Sequence, residues 1–295
     1  MFRLSIATLL ILGCASQAAF AGTTESFDES VNYAPAFSVS QEDPSLSDLF
    51  NPANGKSSLC VPTTLANIVG YQAMGRTPGF SSLRLVQSPD QTTYSQQVRF
   101  FAQHCGTNPA NGTVVTNAVN CMRQFYRDSG YPTGWVYLIG REESADPQSV
   151  AFWHGLRPLS IDDLRYYVWN QVGVLMDVYW EQQQQIPGSL GGVGPWVQKG
   201  GHTFMIAGYD YDFAWGQNQI HLKVVNPEST YTSGDPSTHF DDVTMTSVLA
   251  TPGVSFPPTF NYVLSGKGFP TGNVRGYVRN IMVFLPDLSV IPAAQ

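Results

Sequence analysis

Charge is scarce in this sequence. Charged residues make up 13% of it, against about 25% in a typical domain. Lysine and arginine are the scarcer sign, 15 against 22 acidic residues, for a net charge of −7. No basic cluster forms along the chain, which argues against nucleic acid or an anionic membrane surface as a partner. No apolar run reaches 18 residues, so no transmembrane segment is expected. Cysteine is also rare, with four residues at positions 14, 60, 105 and 121. Of the five histidines, 104, 154, 221 and 239 show no metal-ligand spacing with a second histidine or a cysteine. No zinc site and no cofactor are therefore expected. No repeat of solenoid period is present. With charge in short supply, surface polarity falls to Gln, Asn, Ser, Thr and Tyr.

What is present begins with an export signature. Arg3 supplies a positive n-region, Leu4 to Leu12 a short apolar core, and Ala19-Phe20-Ala21 a small-x-small cleavage site. Residues 1–21 thus read as a signal peptide, which predicts a secreted or periplasmic protein. An alternative reading takes Ile11-Leu12-Gly13-Cys14 as an imperfect lipoprotein signal, with a lipid anchor on Cys14. Residues 22–50 form an acidic N-terminal extension. Glu25, Asp28, Glu29, Glu42, Asp43 and Asp48 occur there with no Lys or Arg between them. A disordered or strap-like lead-in is expected, with an inhibitory propeptide as the alternative. Residues 51–295 are long enough for one large domain with a substantial core, and no second domain is evident.

Export makes the cysteine count informative. After residue 21 three cysteines remain, an odd number, so two are expected to pair and one to stay free. Cys105 and Cys121 are the natural pair, because they flank a short stretch between two helix candidates. Cys60 is the one left over. It stands at the start of Cys60-Val-Pro-Thr-Thr-Leu-Ala-Asn-Ile-Val69. Pro62 suits a first helical position. Val61, Leu65, Ile68 and Val69 recur on one helical face. Cys60 is therefore expected at a helix N-terminus, where unpaired N–H groups and the helix dipole favour a thiolate, the nucleophilic form. The alternative for Cys60 is a buried, inert structural cysteine.

Residues 61–135 read as mostly helical. Ser95 to His104 is expected to turn Val98 and Phe101 inward. A turn at Asn108-Pro-Ala-Asn-Gly112 precedes a helix over Thr113 to Arg127. Ser160 to Gln171 is a further helix, with Ser160 as N-cap and Asp163 three residues on. The period then changes, and Val172 to Trp180 reads as a buried strand. Residues 181–200 read as a long loop rich in Gln, Gly and Pro, either a surface excursion or a segment that gates a cleft. Gly200-Gly201-His202 follows, with His202 expected to open an apolar strand. Gln219 to Val225 is the next strand, ending in Asn226-Pro227. Paired antiparallel, the two strands would bring His202 and Asn226 together at a sheet edge. Val274 to Leu285 is the clearest of the later strands and is expected to close the sheet.

With Cys60, His202 and Asn226 in that order, residues 50–230 resemble the papain-like cysteine peptidases, closest to the C39-like group of bacteriocin-processing relatives. The matching landmarks are Cys60-Val-Pro-Thr, Gly200-Gly201-His202 and Val225-Asn226-Pro227. The resemblance implies an α+β fold, with a helical lobe carrying the nucleophile packed on an antiparallel sheet. It also implies roles: His202 as acid and base, Asn226 as its orienting partner, and the Cys60 N–H as an oxyanion donor. Asn54, six residues before Cys60 where relatives usually have glutamine, would be the second oxyanion donor. The expected activity is hydrolysis of peptide or amide bonds in a peptide or protein substrate. The alternatives are acyl transfer to an amine, a cell-wall amidase, and a catalytically silent module that binds peptide or glycan.

Overall fold

The computed structural model describes residues 24–28, 40–73, 91–129, 134–140, 159–170, 172–185, 193–228, 240–248, 261–266, 269 and 272–286. The signal peptide, Cys14, His154 and His239 lie outside these residues. The described chain is α+β, with helices packed on one antiparallel sheet.

The central strand is β3, Gly173–Gln185, whose first part is a nearly unbroken apolar run. The run is unbroken because both of its faces are buried. Val174, Met176 and Val178 enter one core, and Leu175 enters a second core beneath the helices. β3 pairs with β4 (Val193–Asp212) and β8 (Val274–Pro286). From β8 the sheet continues through β7 (Asn261–Gly266) and β6 (Asp241–Val248) to β5 (Gln219–Val225), and β5 returns to β4. Six antiparallel strands thus close a ring. Phe204, Leu222, Val243, Leu264 and Val283 pack together in one core with the inward residues of β3. Two shorter strands flank the ring: β1 (Thr24–Asp28) on β4 and β2 (Gly134–Gly140) on β8.

Helix α1, Cys60–Ala73, packs on the outer face of the sheet, and α2 (Gln91–His104) and α3 (Val115–Asp128) pack with it. The sequence suggests one apolar face for α1, but every residue from Val61 to Gln72 is buried. The polar residues this encloses need partners. Thr64 Oγ1 donates to the Thr203 carbonyl at 3.1 Å. Gln72 Nε2 donates to the Phe284 carbonyl at 2.9 Å, and the Tyr126 hydroxyl donates to Gln72 Oε1 at 2.9 Å. Close approach of α1 to the sheet depends on Gly173, where a Cβ would stand 2.3 Å from Ile68 Cγ2. Pro62 is the third residue of α1 rather than the first, still within the turn whose N–H groups lack intrahelical partners.

Val98 and Phe101 are buried as expected, although α2 begins four residues earlier than Ser95. The Asn108–Gly112 turn is closed by a bridge between its ends. Cys105 and Cys121 form a disulfide with Cα atoms 5.1 Å apart, joining the end of α2 to α3. A loop of that size is worth about 3 kcal/mol through loss of chain entropy in the unfolded state. Helix α4, Ile161–Trp169, has Ser160 as N-cap in a reciprocal capping box with Asp163.

One expectation about the fold needs revision, and the strap-like alternative for the lead-in is the one the described residues fit. Residues 181–185 and 193–200 are not loop: they are strand, and Glu181 to Gln185 pair with Gln198 to Val193 as the outer part of the β3–β4 hairpin. Only residues 186–192 of that stretch lie outside the described structure. The described parts of 22–50 lie against the rest of the chain. β1 adds to β4, the Gln41 N–H donates to the Pro227 carbonyl at 2.8 Å, and Leu46 is buried with the helices. Among the described residues no helix is long and apolar enough to cross a membrane.

Candidate active site

Cys60 is the first residue of α1, half-buried, and among the described residues it is the free cysteine beside the Cys105–Cys121 pair. Its sulfur therefore lies at the end of a helix whose first-turn N–H groups have no intrahelical acceptor and whose dipole is positive there. The helix is anchored to β4 by the Thr64–Thr203 hydrogen bond, one residue from His202. His202 does not open its strand as the sequence suggests. It sits well inside β4, opposite Val178 of β3. Gly200 and Gly201 are not required by space, since a Cβ at either would meet only ordinary contacts.

The imidazole of His202 is buried and held from several sides. Its Nε2 is 2.8 Å from Asn226 Oδ1, so the two residues meet as the antiparallel pairing predicts. Asn226 follows the last residue of β5, where β4 and β5 have stopped pairing. The Trp180 ring stacks on the imidazole at 6.0 Å between centroids and 17° between planes. Phe269 meets Trp180 edge-on at 5.4 Å. Gly276 makes room for that indole, because a Cβ there would come within 2.9 Å of Trp180 Cζ3. Cys60 is near enough for its hydrogen bonding and charge to act on the ring. With Nε2 committed to Asn226, Nδ1 is the nitrogen left to face the thiol. Glu228 Oε1 stands 3.8 Å from the same Nδ1 on a half-exposed side chain.

These neighbours decide the charge of the ring. Burial pushes the His202 pKa down. The hydrogen bond and charge of Cys60, the Glu228 carboxylate and the Asn226 hydrogen bond push it up, and the net shift is upward. The imidazolium is thus favoured against its burial.

Two residues without a sequence signal complete the surroundings. Asn226 Oδ1 also accepts from the Glu228 backbone N–H at 3.1 Å. Asn226 Nδ2 donates to Asp241 Oδ2 at 3.2 Å, and both side chains are buried. Glu228 directly follows the Asn226-Pro227 pair and Asp241 opens β6. Neither position shows a period or motif. Only the convergence of β4, β5 and β6 at one end of the ring identifies them.

Asn54 is not brought to this cluster. It is exposed in a turn before α1, and its Oδ1 accepts from the Lys56 N–H at 2.9 Å. His104 and His221 serve locally. His104 Nδ1 is 2.8 Å from the Phe100 carbonyl, and the His221 ring stacks on Trp215.

No family model, curated protein or solved structure matches the chain.

Proposed function

We propose that the protein is an exported cysteine hydrolase of papain-like architecture that cleaves peptide or amide bonds through Cys60, His202 and Asn226. The observation that carries this reading is the His202 Nε2–Asn226 Oδ1 contact of 2.8 Å, on a ring that also reaches the cysteine at the α1 N-terminus. The disulfide suits an oxidising compartment and so supports export.

In this chemistry the Cys60 thiolate attacks the carbonyl carbon and forms a tetrahedral oxyanion. The backbone N–H of Cys60 would stabilise it. As the C–N bond breaks, His202 gives its proton to the leaving amine. A thioester remains on Cys60. His202, now neutral, takes a proton from water, the water oxygen attacks the thioester, and Cys60 is released with the acid product. An amine in place of that water would give acyl transfer instead. Asn226 keeps the imidazole in plane through both steps.

Asn54, tied to its own turn, would have to swing inward to donate to the oxyanion. This favours, as a second reading, a slow or silent site that binds its peptide without cutting it. The test is alkylation. Cys60 is expected to react with iodoacetamide at pH 6, and His202→Ala should slow that reaction strongly. Asn226→Ala should slow it less. Labelling confined to pH above 8 and indifferent to His202→Ala would leave the binding module as the reading.

A further inference from the structure

We infer that Asp241 is a positioning residue that fixes the Asn226 amide and, through it, the proton on His202. The inference rests on the proposed Cys–His–Asn site but concerns a residue outside it. An asparagine amide has one accepting end and one donating end, and the two are interchanged by a half-turn of the side chain. A carboxylate only accepts. Asp241 Oδ2, 3.2 Å away, therefore takes the Nδ2 end of Asn226. The opposite end is then Oδ1, which receives the Glu228 N–H at 3.1 Å and faces His202 Nε2 at 2.8 Å.

An acceptor at that place requires Nε2 to carry a hydrogen. In the neutral ring the second nitrogen, Nδ1, is then bare, and it is the nitrogen left to face Cys60. A bare Nδ1 can take the thiol proton. The opposite tautomer would offer Cys60 a donor and could not act as a base. Asp241 thus selects the competent tautomer from one residue further out, without touching sulfur or substrate. Its burial suits the role, since water that could offer Asn226 an alternative partner is kept away. Val224 pairs with Asp241 itself, so the carboxylate is placed by the β5–β6 ladder.

Two variants separate this role from simple packing. Asp241→Asn keeps an oxygen that can accept from Asn226 Nδ2, whereas Asp241→Ala removes it. The His202 ring is read by ¹⁵N NMR in the Cys60→Ala background, above the pH at which the ring titrates. Cys60 labelling by iodoacetamide is read in the native background, with thermal unfolding as the control for folding. The expected result is a single Nε2–H tautomer in the parent and in Asp241→Asn, and a mixture in Asp241→Ala. Labelling should fall about tenfold in Asp241→Ala, the scale at which outer partners of a site act, and stay near native in Asp241→Asn. An unchanged tautomer in Asp241→Ala, or equal losses in both variants, overturns the assignment. Should Asp241→Ala fail to fold, the parent decides: a ring populating both tautomers overturns the assignment, and a single Nε2–H form supports it. The tautomer is read independently of Cys60 reactivity, so failure of the hydrolase reading remains a separate outcome.

Discussion

His202 is the residue through which pH would act on this site. Its upward shift means that the imidazolium survives above the ring's ordinary 6.5. Activity that needs the protonated ring should therefore persist past that pH and fall as the ring finally loses its proton. Glu228 contributes to the shift from 3.8 Å. Glu228→Gln is expected to move the alkaline limb of the hydrolysis profile to lower pH, with the protein still folded. An alkaline limb in the same place would show that the Glu228 charge does not reach the ring. Cys60, His202 and Asn226 were legible in the sequence because each sits at punctuation: a helix start, a glycine pair, an Asn-Pro. Glu228 and Asp241 were not legible. Their positions acquire meaning only where β4, β5 and β6 converge, which no local pattern encodes. Asn54 shows the reverse failure, because spacing from Cys60 suggests a role that its own turn opposes.

Among the elements, α1 departs most from its sequence pattern. The apolar spacing identifies the helix and its start, but Thr63, Thr64, Asn67 and Gln72 look like a solvent face and are all buried. For Thr64 and Gln72, partners come from strands more than a hundred residues away, in the bonds to Thr203 and to Phe284. The β3–β4 hairpin misleads in the opposite sense. Glu181 to Gln185 lack alternation and residues 193–200 carry Gly and Pro, so propensity favours loop. Pairing overrides it, with irregular register between Gln183 and Gln185 accommodating the Pro195 region. The packing of α1 on β3 gives a direct test. Gly173→Ala would place a methyl 2.3 Å from Ile68 Cγ2. Such overpacking should cost about 1–3 kcal/mol, read as a lower urea midpoint at unchanged slope. A neutral substitution would mean that α1 is not seated as described.

For the molecule as a whole, the strands after residue 172 are legible from the change of period there, and the α+β class is what the resemblance implies. The ring does not follow from either: the β4–β5 pairing is expected from the sequence, but closure also needs β8 to lie beside β3 and β7 and β6 to lead from it to β5. Nor does the role of the first strand. Glu25 of β1 is held by Arg165 through two hydrogen bonds of 2.9 and 2.6 Å, and by the Tyr209 hydroxyl. Burial raises its pKa, but Arg165 and Tyr209 outweigh that and the net shift is downward from 4.5. A carboxyl lowered on folding contributes its stability in full above 4.5 and loses it as pH falls through the lower folded value. The hydrogen-exchange protection of β1 should accordingly fade in acid, and Glu25→Gln should remove that acid dependence. Equal fading in the variant would assign it to other groups. These long links also set an order in time. Glu25 and Tyr209 are 184 residues apart, and Thr64 and Thr203 are 139 apart. A ribosome releases the nucleophile's helix long before the histidine strand exists. On the proposed chemistry the emerging chain carries an ordinary thiol, and its own peptide bonds are safe from it until the late strands arrive.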